Sequence, residues 1–138
     1  MTEQGALKVS FPWGMPGLDY NEFTLSVLAP DSPFFFLRST EEIRVGLLLI
    51  NPFVTYNDYQ FELEEEVAQQ LKISNEKQVV VLCAVNTSRG IKSATVNLLA
   101  PIVINTEEFL AKQIVLNDKR YSLRTPLVFK KEMEKGDR

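Results

Sequence analysis

The side chains able to do covalent or acid–base chemistry are few in this chain, and their spacing does not assemble a catalytic site. It has no histidine, so an activated Ser, Thr or Cys nucleophile would need some other base. Its one cysteine, Cys83, lies in the apolar run Val79-Val80-Val81-Leu82-Cys83-Ala84-Val85 and reads as a small core residue rather than a reactive thiol. A single cysteine also excludes an intrachain disulfide and a Cys/His zinc site. Glu41-Glu42 and Glu107-Glu108 are adjacent pairs. Neighbours in sequence diverge on a strand or a helix, so neither pair makes an acid/base dyad. None of the six glycines falls in the GxxxxGK spacing that cradles phosphate. Glu62, Glu64, Glu65 and Glu66 could ligate a hard cation, but they fit better as the solvated start of a helix, where the macrodipole favours anions. The expectation is a protein that is not an enzyme and carries no cofactor or metal.

Binding is better represented. Asn97-Leu98-Leu99-Ala100-Pro101-Ile102-Val103-Ile104-Asn105 places apolar residues between two asparagines, with Pro101 in their midst. Proline cannot donate to a sheet ladder. The run therefore reads as two short buried strands meeting at a bend, or as one strand with a bulge or an edge at Pro101. A broken ladder leaves backbone groups free to pair with another protein, and Pro101 to Asn105 is expected near an edge, with strand addition as the mode. Ile102 and Ile104 also read as core. On this view Asn105→Ala weakens partner binding and leaves thermal stability nearly intact. Phe11-Pro12-Trp13-Gly14-Met15-Pro16-Gly17 is a rigid loop whose aromatics either plug one end of the core or present a recognition surface.

The net charge of −3 hides an asymmetry. Residues 1–76 hold 4 Lys/Arg against 12 Asp/Glu, and residues 77–138 hold 11 against 6. An acidic first half argues against direct nucleic-acid binding, which rests on clustered cations, and suits a basic protein partner. No stretch approaches the ~20 apolar residues of a membrane-spanning helix. The first ten residues do not read as a signal peptide, so a reducing cytoplasm is the expected compartment.

The elements that must position these groups are mostly strands. Phe23 to Leu28 alternates apolar and polar residues, Phe34 to Leu37 and Leu47 to Ile50 are apolar runs, and Val79 to Val85 is continuous and β-branched. Pro30-Asp31-Ser32-Pro33 is a turn, and Asn51-Pro52 stops the fourth run. Gln113 to Leu116 and Arg120 to Leu123 read as a hairpin around Asn117-Asp118-Lys119. Ser39-Thr40-Glu41-Glu42 resembles a capping box and could open a helical turn. Glu64 to Lys72 reads as the principal helix, with Val67 and Leu71 on a single buried stripe. Short connections favour antiparallel pairing. The fold expected is mainly β, a small antiparallel β-barrel-like domain with one principal short α-helix. It forms a single domain over residues 1–138, with residues 130–138 a charged C-terminal tail.

Several segments together resemble the flagellar assembly factor FliW family. They are Phe11-Pro12 with Gly14 to Gly17, Pro33-Phe34-Phe35 with Leu37 and Ser39, Asn51-Pro52-Phe53, Tyr59 to Leu63, Asn97 to Asn105, and Gln113 to Leu116 with Asp118 and Tyr121. They follow the family's order over nearly the whole chain. Three positions depart from it: the segment before Phe11 is short, so a leading strand would be reduced or absent; Leu18 stands where an aromatic is usual; and Arg38 replaces a glutamine. The resemblance implies a β-barrel-like fold and a partner switch. FliW-like proteins bind flagellin in the cytoplasm; when flagellin is exported, the freed factor binds the RNA-binding regulator CsrA and lifts its block on flagellin translation. The partners implied are flagellin and CsrA, with no direct nucleic acid, no membrane, and a monomer when free. Glu62, Glu64, Glu65 and Glu66 are the residues expected to face the basic regulator, and Pro101, Ile102 and Asn105 are expected to contact a partner. The rival classes are a small-ligand-binding or enzymatic β-barrel and a self-assembling subunit.

Overall fold

Alternation along the strands decides which residues meet inside. In the computed structural model, which describes residues 6–127, nine strands form: β1 Leu7–Ser10, β2 Glu22–Val27, β3 Phe34–Ser39, β4 Gly46–Ile50, β5 Val79–Asn86, β6 Thr95–Val96, β7 Ile102–Asn105, β8 Leu110–Gln113 and β9 Thr125–Pro126. Two short helices, α1 Pro52–Thr55 and α2 Glu65–Gln70, lie between β4 and β5. The charged tail 130–138 lies outside the described residues.

Seven strands close into a barrel in the order β1-β2-β3-β4-β5-β7-β8. All neighbours are antiparallel except β1 and β8, which meet in parallel at the single pair Ser10 and Leu110. The expected mainly β, barrel-like architecture is therefore observed, and closure removes most of the sheet edge that would invite aggregation. The leading strand is present but only four residues long. β6 pairs the end of β5, and β9 pairs β6, as a small flap outside the ring.

The barrel interior is filled by side chains. Val9, Phe23, Leu25, Leu37, Leu49, Leu82, Ile102, Ile104 and Ala111 form one buried cluster, joined by Phe11 and Met15 from the loop after β1. Phe11 and Phe23 meet edge to face with centroids 5.3 Å apart. Gly46 lets the Phe36 ring lie close: a Cβ there would stand 2.6 Å from that ring, which would have to shift.

The residues pointing outward from β5, β7 and β8 are covered on one side. Val67 of α2 and Leu71, its C-cap residue, seal Val103, with Val79, Val81, Leu110 and Ile114 around them. A six-residue helix is too short to stand alone. The burial of Val67 and Leu71 holds it down, each contributing roughly 1.5–3 kcal/mol. A second outer cluster gathers Ile50, Tyr59, Cys83, Val96 and Leu98 beneath the connection from α1 to α2.

Four expectations are corrected. First, Gln113–Leu116 and Arg120–Leu123 do not form a hairpin. Leu116 N–H donates to the Leu99 carbonyl and Leu98 N–H to the Ser122 carbonyl, so the two segments flank the same stretch. Second, only the latter part of the run from Asn97 to Asn105 is a strand: the expected bend is present but takes up residues 97–101, because the Asn97 side chain accepts from the Leu99 and Ala100 amides at 3.1 and 2.9 Å. Third, β7 is not an edge: β5 pairs it on one side and β8 on the other. Fourth, Ser39 does accept from the Glu41 and Glu42 amides, but the chain turns back into β4 without a helix. A further one-turn helix, α1, was not foreseen; Asn51 caps it through the Phe53 amide at 3.0 Å, and Pro52 opens it.

Candidate partner-binding surface

Glu62, Glu64, Glu65 and Glu66 are all exposed along the approach to α2 and its first turn. Glu64 is the N-cap residue but makes no side-chain cap bond, leaving its carboxylate free to face outward. Among the described residues the ion pairs are Glu42 with Arg44 at 2.9 Å and Asp118 with Arg120 at 2.7 Å, so none of the four is neutralised. Nor do they converge as a group of three or more metal-ligating side chains. Their geometry is that of an open negative surface, suited to a cationic partner.

Two grooves lie on either side of this segment. One, of about 530 Å³, runs between Gln60, Phe61, Glu62 and Glu64 on one wall and residues 114–118 on the other, with Val67 also lining it. In it Asp118 is held by the Arg120 guanidinium, which keeps its carboxyl below the usual range. The other groove, of about 720 Å³, is more apolar; Phe53, Phe61, Leu63, Val79 and Val81 line it.

The wall between the grooves is fixed by two tyrosines. Tyr59 donates its hydroxyl to the Leu98 carbonyl at 2.8 Å, and its ring meets that of Tyr121 at 4.7 Å. Tyr121 in turn accepts from the Gln60 amide and donates to the Gln60 carbonyl, each at 3.0 Å. The Cys83 thiol lies 3.9 Å from the Tyr59 hydroxyl. Burial pushes that thiol up to about 12, so it stays protonated and is a poor nucleophile.

The remaining predicted residues are interior. Pro101 is buried, and Ile102 and Asn105 are 0 % exposed. Asn105 makes four hydrogen bonds: its amide donates to the Leu71 and Lys72 carbonyls, and its oxygen accepts from the Glu107 and Glu108 amides. The structure thus groups the four glutamates and separates them from Pro101, Ile102 and Asn105, which serve the ladder and the attachment of α2.

The aromatic loop divides its roles. Phe11 is fully buried, whereas Trp13 is 45 % exposed and carries the Lys112 ammonium 5.1 Å from its ring centroid. Lys112 also donates to Gln70 of α2, linking loop, barrel and helix. Sequence reasoning missed the groove wall at 114–118, which it read as a hairpin, and the exposed Phe53 and Val54 of α1, whose only sequence signal was the Asn51-Pro52-Phe53 motif.

The fold is a closed barrel filled with side chains, with an acidic segment and two grooves on its outer face. Residues 2–127 match the family described as FliW protein. The flagellar assembly factor FliW of Bacillus subtilis (strain 168) is 34 % identical over 120 residues, covering 86 % of this chain and 84 % of its own. That of Clostridium botulinum (strain Langeland) is 38 % identical over 125 residues, covering 90 % and 87 %. A crystal structure of the flagellar assembly factor FliW superposes with a TM-score of 0.80 at 32 % identity, covering 94 % of this chain and 89 % of that one. The chain belongs to the FliW family.

Proposed function

We propose that this protein is a non-enzymatic flagellar assembly factor that works by exchanging partners in the cytoplasm. It binds flagellin; when released, it binds CsrA and relieves repression of flagellin synthesis. The observation that carries this reading is the family match across residues 2–127, made to relatives whose own names state a role in flagellar assembly. Among the described residues no helix is long and apolar enough to cross a membrane.

The acidic segment Glu62, Glu64, Glu65 and Glu66 supplies the chemistry for the second partner. CsrA binds RNA and is basic, so a negative surface attracts it and then repels phosphate from beside the RNA site. The protein acts as a monomer when free: among the described residues most strands are paired on both sides within the ring.

Titration calorimetry with purified flagellin and with purified CsrA tests the reading. Saturable binding of each is expected. Binding of neither removes the function proposed, and light scattering that shows a stable oligomer of the free protein removes the monomeric switch.

A further inference from the structure

β8 runs on past Gln113 as an extended segment with a one-sided ladder. Ile114 N–H donates to the Pro101 carbonyl at 3.0 Å and Leu116 N–H to the Leu99 carbonyl at 2.8 Å. In an antiparallel strand, successive residues turn their backbone groups to opposite sides. Val115 and Asn117 therefore aim theirs away from the bend. Barrel closure is complete upstream, at Ser10 and Leu110, so among the described residues no strand reaches this side. Among the described residues neither Val115 nor Asn117 has a hydrogen-bond partner for its N–H or C=O. The Val115 side chain is 74 % exposed.

This open edge borders a groove of defined charge. Val115 and Asn117 line it together with Glu62, Glu64 and Asp118. Its one cation, Arg120, is already engaged by Asp118 at 2.7 Å, so Glu62 and Glu64 stand uncompensated. The buried Val67 lines the groove as well. Backbone donors and acceptors spaced two residues apart, beside an apolar and acidic trough, are the requirements for capturing an extended chain by strand addition.

We propose that Val115 and Asn117 form the edge to which a protein partner adds an extended segment rich in Lys or Arg, its cations facing Glu62 and Glu64. Charge complementarity selects this occupant. A second copy of the chain would bring two acidic troughs together, which like-charge repulsion opposes. The proposal rests on the reading of this protein as a binder of protein partners and names the surface and the kind of segment it takes.

The probe is a short acetylated peptide alternating Lys and Val, with a Glu/Val peptide as control, added to the full chain. The Lys peptide is expected to slow amide hydrogen exchange at Val115 and Asn117 by about tenfold or more, and the Glu peptide to leave it unchanged. Val115→Pro, which deletes the donor, should weaken Lys-peptide binding by about tenfold, whereas Val115→Thr keeps the donor and binds as the parent does. Asn117→Pro is the second variant should Val115→Pro fail to fold. Lys-peptide binding without protection of Val115 and Asn117, equal binding of both peptides, binding by both proline variants as tight as the parent's, or association of the chain with itself through this edge overturns the proposal. If flagellin and CsrA bind the parent while the peptide does not, the edge falls and the function stands. If the peptide binds as expected and neither protein does, the function falls and the edge stands.

Discussion

The side-chain amide of Asn105 donates to the Leu71 carbonyl at 2.8 Å and so fastens the C-terminal end of α2 to the barrel. Its second donation, to the Lys72 carbonyl at 3.2 Å, satisfies the acceptor just past the helix end. Its oxygen orders the turn between β7 and β8 through the Glu107 and Glu108 amides. One buried side chain thus serves two elements that are distant in sequence. Asn105→Ala is expected to cost about 2–4 kcal/mol, since it leaves buried backbone groups without partners. This reverses the expectation of near-intact stability. Urea unfolding of the variant measures it; an unchanged midpoint would show that the four bonds are dispensable.

Lys72 ends α2 in the left-handed region at φ +57. The Lys72 and Ile73 amides close back onto the Gln69 and Ala68 carbonyls, the pattern in which glycine is usual. Its side chain is exposed. Lys72→Gly should stabilise the protein by up to about 1 kcal/mol by relieving that strain. Thermal unfolding checks the sign, and a lower midpoint contradicts it.

Burial sets the alkaline limit of the fold. The Cys83 thiol is pushed from 9.0 up to about 12, and burial raises Tyr56 from 10.0 to about 12, with the nearby thiol adding to it. Tyr59 is raised as well, again chiefly by burial. These groups stay neutral in the folded chain after their unfolded counterparts have ionised. Their contribution is full below pH 9 and is lost as pH rises toward 12, at about 1.4 kcal/mol per pH unit for each group. Cys83→Ala should flatten the first part of that decline. Stability measured from pH 8 to 11 checks it, and identical slopes for parent and variant would remove Cys83 from the effect. A thiol reagent should label the native protein only as fast as it unfolds.

Strand positions were legible because period-two alternation survives in β2, where Phe23 and Leu25 point inward as their spacing requires, and because Leu47 to Ile50 is a short apolar run bounded by turn residues; which of its residues face the core, Leu49 with Leu47 beside it, required the fold. The α2 stripe of Val67 and Leu71 was legible for the same reason at period four. Which strands become neighbours was not. Closure at Ser10 and Leu110 joins residues far apart in sequence, and no local pattern encodes it. Pro101 lacks an N–H, but its carbonyl still accepts from Ile114 and the pairing runs on past it to Leu99, so the free backbone groups lie elsewhere. Asn97 bends the chain ahead of it, β7 then enters the centre of the sheet, and the open edge appears across the ladder, at Val115 and Asn117. The exposure of the four glutamates followed from composition, whereas the groove they share with residues 114–118 required the fold.

If Glu62, Glu64, Glu65 and Glu66 steer the encounter with CsrA, reversing two of them should slow association and flatten its salt dependence. Dissociation should change less, since exposed charge pairs contribute only ~0–1 kcal/mol each. Stopped-flow association of the Glu64→Lys, Glu65→Lys double variant at low and moderate salt measures both. An association rate equal to that of the parent would take these carboxylates out of the interface.

Partner exchange is tested most directly by the RNA affinity of CsrA, measured at a series of fixed concentrations of this protein with and without flagellin. The predicted result is an affinity that falls to a plateau as the protein increases, because repulsion acts beside the RNA site without occupying it, and that recovers when flagellin is added. A continued fall without a plateau would replace repulsion with direct competition. An RNA affinity that stays constant at every concentration, with flagellin present or absent, would contradict the partner switch itself.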